Sequence, residues 1–174
     1  MEAKDPDHNA VNAALNGNQG AYKLLYERHV DALFGFLMQF ETERVQVSDW
    51  VQLSFIKAFQ KLDQFMGKSS FKTWLYRIAL NEMRQSKRKM RLHFESLEGL
   101  DEVNILEESF QLSDWITLKA IIKKLPERER LVLLMYEIEG FTHEEIALLL
   151  EINPNTSRSI LYRTKQQLKN KLTK

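Results

Sequence analysis

From Leu125 to Leu172 helix-forming runs alternate with stops so closely spaced that only short, sharply angled helices fit. Pro126 suits the first position of a helix, where its missing N–H costs nothing. Leu131, Leu134, Met135 and Ile138 then recur at helical spacing. Gly140, free to take positive φ, stops that helix. Thr142 and Glu145 have the spacing of a capping box, in which the Thr142 side chain accepts from the Glu145 amide while Glu145 reaches back. Ile146, Leu149 and Leu150 give the short helix a buried side. Asn153-Pro154-Asn155 breaks it, and a final helix is expected from about Thr156. This order predicts a helix-turn-helix, whose second helix enters a DNA major groove.

The final helix has a surface suited to that role. Leu161, Thr164, Leu168 and Leu172 fall on one stripe with Ile160 beside it. Arg158, Ser159, Tyr162 and Arg163 fall off the stripe near the helix start, where base edges are read. No acidic residue follows Glu151, whereas Arg158, Arg163, Lys165, Lys169, Lys171 and Lys174 do. Such one-sided charge neutralises phosphates.

Elsewhere the signs are also segregated, so the formal net charge of +1 on 174 residues says little. Arg77 to Arg91 is basic and Glu95 to Glu108 is acidic. Six Gly, three Pro and no useful run of alternating hydropathy predict an all-α chain. With no Cys, disulfides, Cys-ligated zinc and a thiol switch are excluded. His8, His29, His93 and His143 lack metal-ligand spacing, so no metal and no other cofactor is expected. The carboxylates sit in helix caps and in one acidic stretch, not in a cluster fit for metal-assisted chemistry. No catalytic residue and no small-molecule substrate are therefore expected. Without a signal-like segment or a bilayer-length apolar run, the expected location is cytoplasmic, with no membrane contact.

The organisation reads as two small helical domains joined by a flexible acidic linker: 1–92, 93–112 and 113–174. Residues 1 to about 9 are polar and expected to fray, and a short helix over Ala10 to Leu15 stops near Gly17. The next helix has a broad apolar face from Tyr22 to Phe40 that includes His29, expected as a hydrogen-bonded core residue. Ser48 or Asp49 is expected to cap a third helix with the stripe Val51, Phe55, Ala58, Phe59 and Leu62. A loop around Gly67 leads to Ser70, the expected cap of a fourth helix that buries Phe71, Trp74, Leu75, Ile78, Ala79 and Met83. On that helix Tyr76 and Asn81 are expected to be exposed. Stacking faces beside Arg77 and Arg84 suit single-stranded nucleic acid. The linker has no Lys or Arg and no clear apolar period between Leu92 and Leu112.

Two separated blocks carry a family resemblance. The run Asp49-Trp50-Val51-Gln52-Leu53-Ser54-Phe55-Ile56-Lys57-Ala58-Phe59 resembles region 2.2 of bacterial RNA polymerase sigma factors of the sigma-70 family. Phe71-Lys72-Thr73-Trp74-Leu75-Tyr76-Arg77-Ile78-Ala79-Leu80-Asn81 resembles their regions 2.3 and 2.4. Leu125 to Arg130 followed by Gly140-Phe141-Thr142-His143-Glu144-Glu145-Ile146-Ala147 resembles region 4. A linker in place of a region 3 domain is the mark of the extracytoplasmic-function (ECF) group.

The resemblance implies a factor that binds core RNA polymerase and directs it to −35 and −10 promoter elements. It places Asp49, Gln52, Leu53 and Phe55 on the surface that docks on the β′ clamp coiled coil, and implies contact with the β flap. It places Met66, Lys68, Ser69, Tyr76, Arg77, Asn81, Arg84, Lys87 and Arg88 on the −10 element, with the loop Gln64 to Ser70 capturing a flipped base. It places Thr156, Arg158, Ser159, Tyr162 and Arg163 on the −35 duplex. Arg158 and Arg163 suit phosphate or guanine, and both roles stay open. An anti-sigma factor is an implied partner beside the polymerase and promoter DNA. The chain departs from the family pattern at Met66-Gly67-Lys68, where an acid is usual after the glycine. It departs again at Glu151-Ile152, where Gly-Ile is usual, and at Ser157, where Val is usual. Ser157 is expected on the buried side, bonded back to a backbone carbonyl. A stand-alone dimeric helix-turn-helix regulator is the alternative, which would bind a palindrome without polymerase.

Overall fold

The computed structural model describes residues 5–96 and 114–172, and every regular element in them is helical. Helices α1 (His8–Leu15), α2 (Gln19–Leu37), α3 (Arg44–Gln60) and α4 (Phe71–Ser96) form the first unit, with a 3-10 turn at Leu62–Gln64. Helices α5 (Asp114–Lys123), α6 (Glu127–Glu137), α7 (His143–Leu150) and α8 (Pro154–Leu172) form the second. α4 runs on to Ser96, past residue 93 where the linker is expected to start. Residues 97–113, which carry the rest of the linker expectation, lie outside the described residues.

The helices bury most of the faces that their spacing predicts; Tyr26, Ile138 and Leu172, expected on apolar stripes, are exposed. On α2, Leu25, His29, Leu33 and Phe36 point inward, and Asn18 caps the helix by accepting from the Gly20 amide at 2.9 Å. α3 packs along α4, burying Trp50, Val51, Phe55 and Ala58 on one and Leu75, Ala79 and Met83 on the other. Each of the larger aliphatic and phenyl side chains contributes about 1.5–3 kcal/mol when fully buried, an alanine methyl about 0.8. Lys57 closes this contact with an ion pair to Glu82 at 2.6 Å.

Helix starts differ from expectation in four places; α1 begins at His8, two residues before Ala10. α3 begins at Arg44 behind Glu43, a turn before Ser48 and Asp49; the added turn places Val47 in the core. Pro126 is the residue before α6, with extended ψ of 142°, rather than its first helical residue. Pro154 starts α8 two residues before Thr156, because a proline at the first helical position forfeits no hydrogen bond.

The polar N-terminus is anchored from Asp5 onward, not frayed. Asp7 is fully buried, pairing with Arg28 and accepting from His29 at 2.6 Å. The Asp5 carboxylate accepts from the Phe71 amide at the start of α4, at 2.9 Å. His29 is therefore the hydrogen-bonded core residue its position predicts, and two acids near the chain start satisfy groups the apolar core leaves exposed to desolvation.

The two units pack together, α4 against α7. An apolar groove of about 580 Å³ runs between them, floored by Gly35 and Phe36 of α2, Leu118 and Ile122 of α5, Leu134 of α6 and Ile138 just after it.

Candidate nucleic-acid interface

The capping box at the start of α7 is complete: the Thr142 hydroxyl accepts from the Glu145 amide at 3.2 Å, and the Thr142 amide donates to Glu145 Oε2 at 2.9 Å. Gly140 takes φ +72° between α6 and α7. The break between α7 and α8 turns on Glu151, at φ 55° and ψ 49°, a left-handed conformation that usually selects glycine. The Asn153 side chain then accepts from the Asn155 amide at 2.9 Å, ordering the first turn of α8.

Ile160, Leu161, Thr164 and Leu168 bury one side of α8. Ser157 is fully buried as its spacing predicts, but its hydroxyl is hydrogen-bonded to Nδ1 of His143 at 2.9 Å, not to a backbone carbonyl. The proximity of α7 supplies a side-chain partner that outcompetes the helix backbone. His143 stacks on Tyr136 with ring centroids 4.5 Å apart. Burial, and then the Arg158 charge, hold its pKa below the usual histidine value, so α8 is anchored through a neutral imidazole.

The outward side of α8 carries the residues expected to meet the −35 element. Arg158, Ser159, Tyr162 and Arg163 are exposed, Tyr162 at 67%, and Thr156 is half-buried. The guanidinium of Arg158 donates to Glu144 Oε1 at 2.6 Å and to Asn155 Oδ1 at 3.0 Å, a fork held from both sides. The backbone amide of Glu144, and then Arg158, keep the Glu144 carboxyl below its ordinary pKa. The Ser159 hydroxyl donates to the carbonyls of Asn155 and Thr156 at 3.0 Å. Arg163 makes one long contact, from Nε to the Ser159 carbonyl at 3.4 Å.

On α4, Arg77, Asn81, Arg84 and Arg88 are exposed and fall at helical spacing on one face, with Lys87 half-buried beside them and paired with Glu127 at 3.3 Å. The loop before α4 presents Met66, 74% exposed, and Lys68 on either side of Gly67 at φ +65°. Ser69 is half-buried. Phe65 packs on Phe71 and Trp74, with centroids 6.2 and 5.2 Å away, so the loop tip stands on an aromatic base. Ser70 caps α4 as expected, accepting from the Thr73 amide at 3.1 Å.

Tyr76 departs from its expected exposure. It is fully buried, packed between Phe36 of its own unit and Phe141 of the second, at 5.2 and 5.0 Å. Its hydroxyl donates to Glu139 Oε2 at 2.6 Å. Lys72 donates to the Glu139 carbonyl at 2.6 Å, pairs with its carboxylate at 3.2 Å, and lies over the Phe141 ring at 4.7 Å. Thr73 donates to Glu145 Oε1 at 2.8 Å, so one carboxylate both caps α7 and receives α4. Sequence reasoning missed Lys72, Glu139 and Phe141 as an interface. Tyr76 and Glu139 are 63 residues apart, and no local periodicity links them.

α3 presents Val45, Asp49, Gln52, Leu53 and Ile56 on one exposed face; Val45 is 73% exposed, and Leu53 and Ile56 are each 44% exposed. Phe55, expected on the same surface, is 3% exposed and packs on Tyr26 and Phe59, at 4.8 and 5.7 Å. This is a correction: its helical spacing with Val51 and Ala58 places it in the core. Val45 and Ile56 share the exposed face at helical spacing from Asp49 and Gln52. Among the described residues no group of three His, Cys, Asp or Glu is placed to hold a metal ion, and no helix is long and apolar enough to cross a membrane.

Two family models match the chain, Sigma-70 region 2 over residues 25–92 and Sigma-70, region 4 over residues 116–168. The chain is 32% identical to the ECF RNA polymerase sigma-E factor of Salmonella typhimurium over 187 aligned residues, 99% of this chain and 97% of that protein. It is 30% identical to the RNA polymerase sigma-H factor of Pseudomonas aeruginosa, over 97% of this chain and 94% of that one. Among solved structures it resembles CnrH in complex with the cytosolic domain of CnrY, with a TM-score of 0.71, 26% identity, and coverage of 96% and 97%. Its fold is also like that of the sigma factor RpoE in complex with the anti-sigma factor NepR from Bartonella quintana, with a TM-score of 0.69, 24% identity, and coverage of 87% and 96%.

Proposed function

Because the chain belongs to the sigma-70 family of RNA polymerase sigma factors, in its ECF group, and so binds core polymerase and directs it to promoters, we propose how its surfaces divide that work. The exposed α3 face of Asp49, Gln52 and Leu53, extended by Val45 and Ile56, docks on the β′ clamp coiled coil. The exposed start of α8, with Arg158, Ser159, Tyr162 and Arg163, reads the −35 duplex from the major groove. The loop tip at Met66 and Lys68 and the α4 face of Arg77, Asn81, Arg84 and Arg88 hold the −10 strand as it melts. The second unit also touches the β flap. The protein supplies recognition, not catalysis, and works in the cytoplasm.

The observation that carries this division is that each unit presents an exposed basic helical face, Arg77, Asn81, Arg84 and Arg88 on α4 and Arg158, Ser159, Tyr162 and Arg163 on α8, apart from the exposed face of α3. Two weak sites on one tether give a joint affinity that neither has alone. Tyr76 lies under Glu139 and Phe141 when the units are packed, so its use at −10 requires them to separate on the polymerase. The packed form is also the form an anti-sigma factor would hold. The test is transcription by core polymerase on randomised promoter templates. Transcripts that depend on the protein and share sequence near −35 and −10 support the division; binding to a palindrome without polymerase defeats it.

A further inference from the structure

The residues up to the end of α1 lie outside the segments matched by the two family models, the first of which begins at residue 25, yet they are tied to both ends of the loop that carries Met66 and Lys68. At its near end, the 3-10 turn Leu62–Gln64 lies against α1, and Leu62 is buried. At its far end, Asp5 Oδ2 accepts from the Phe71 amide at 2.9 Å, the first amide of α4. The other Asp5 oxygen accepts from the Asp7 amide at 3.1 Å. Asp7 is in turn fixed by Arg28 and His29, and Arg28 also donates to the Pro6 carbonyl at 3.2 Å. His29 packs on Phe71, with centroids 5.6 Å apart.

A buried acid and histidine, with the exposed Arg28 reaching in to pair with the acid, are a costly means of holding a chain end if holding it is the only purpose. Between them they fix where α4 begins, and hence where the loop tip stands. We propose that segment Asp5–Asp7 braces the −10 reading loop, with Asp5 as a positioning residue for promoter opening. This rests on the assignment of Met66 and Lys68 to the −10 strand. Recognition of a flipped base needs its pocket held to a fraction of an ångström. An unpinned α4 start lets the loop tip sample other positions and lose that discrimination.

The experiment compares the full chain with Asp5→Ala, and with Asp5→Asn, which keeps an acceptor oxygen for the Phe71 amide. Each is bound to core polymerase and given a duplex promoter, the same promoter with one −10 base substituted, and the same promoter pre-melted at −10. Asp5→Ala is expected to slow open-complex formation on the duplex about fivefold, the scale of one lost cap. It should narrow discrimination against the substituted base, recover on the pre-melted template, and leave core affinity unchanged. Asp5→Asn, with one acceptor oxygen for the two amides that Asp5 serves, should fall between Asp5→Ala and the unsubstituted chain. Equal losses on duplex and pre-melted templates, or no loss at all, overturn the brace. Met66→Ala and Lys68→Ala run in parallel. If they narrow discrimination and Asp5→Ala does not, the brace alone fails; if they leave it unchanged, the loop assignment fails and takes the brace with it.

Discussion

The hydroxyl of Tyr76 donates to the carboxylate of Glu139 at 2.6 Å, joining α4 of the first unit to the turn after α6 in the second. Burial, and then the Glu139 charge, push the phenol well above its ordinary pKa of about 10. The folded chain therefore keeps this proton where the unfolded chain gives it up. The contribution is fully present below pH 10 and is lost as pH rises beyond it, by up to about 1.4 kcal/mol per pH unit. Denaturant unfolding at pH 8 and pH 11 checks this. Tyr76→Phe should be less stable than the unsubstituted chain at pH 8, by about 1 kcal/mol, and the gap should close or reverse at pH 11.

Leu53 and Phe55 lie two residues apart on α3 and face opposite ways, one 44% and the other 3% exposed. Leu53→Lys should leave thermal stability within about 0.5 kcal/mol of the unsubstituted chain and weaken binding to core polymerase at least tenfold. Phe55→Ala should cost about 3–5 kcal/mol of stability. Whatever polymerase binding survives in the folded fraction should be near normal. Calorimetry and a polymerase titration on both variants separate the two roles.

Arg158 and Arg163 sit on the same exposed side of α8 but are held differently. Glu144 and Asn155 set the fork of Arg158 in place, as a bidentate guanine contact requires, whereas Arg163 is held by one long bond. Arg158→Ala should lower promoter binding by about 1–3 kcal/mol and relax preference at one −35 base pair. Arg163→Ala should weaken all −35 sequences alike and reduce the salt slope by about 1. Polymerase-bound protein, titrated against a −35 library at several salt concentrations, reads both.

Glu151 occupies a left-handed position at φ 55°. For a residue with a β-carbon this costs about 1–2 kcal/mol. Glycine relieves that cost but adds freedom to the unfolded chain. Glu151→Gly should therefore stabilise the second unit by about 1 kcal/mol, read as a higher unfolding midpoint, with −35 preference unchanged.

The helices and their caps were legible in the chain because they are set within a few residues. Thr142 with Glu145, Ser70 with Thr73, Gly140 and the Leu25–His29–Leu33–Phe36 face all appear where local spacing puts them. The same spacing already placed Phe55 inside, against the role that resemblance gave it. The burial of Tyr76 was not legible in this way, since its exposure on an isolated α4 and its burial against Phe141 are equally compatible with the spacing of α4.

The sequence by itself determined most of the helices among the described residues, the helix-turn-helix and the two basic faces, because backbone hydrogen bonding and a 3.6-residue period act over one or two turns. Only the tertiary structure decided that Tyr76 and Lys72 close on Glu139, that Ser157 bonds to His143, and that Asp5 and Asp7 are anchors. These pairings join atoms 14 to 67 residues apart. A buried hydroxyl, ammonium or amide takes whichever partner packing brings within reach, and the chain's local pattern does not record which one that is.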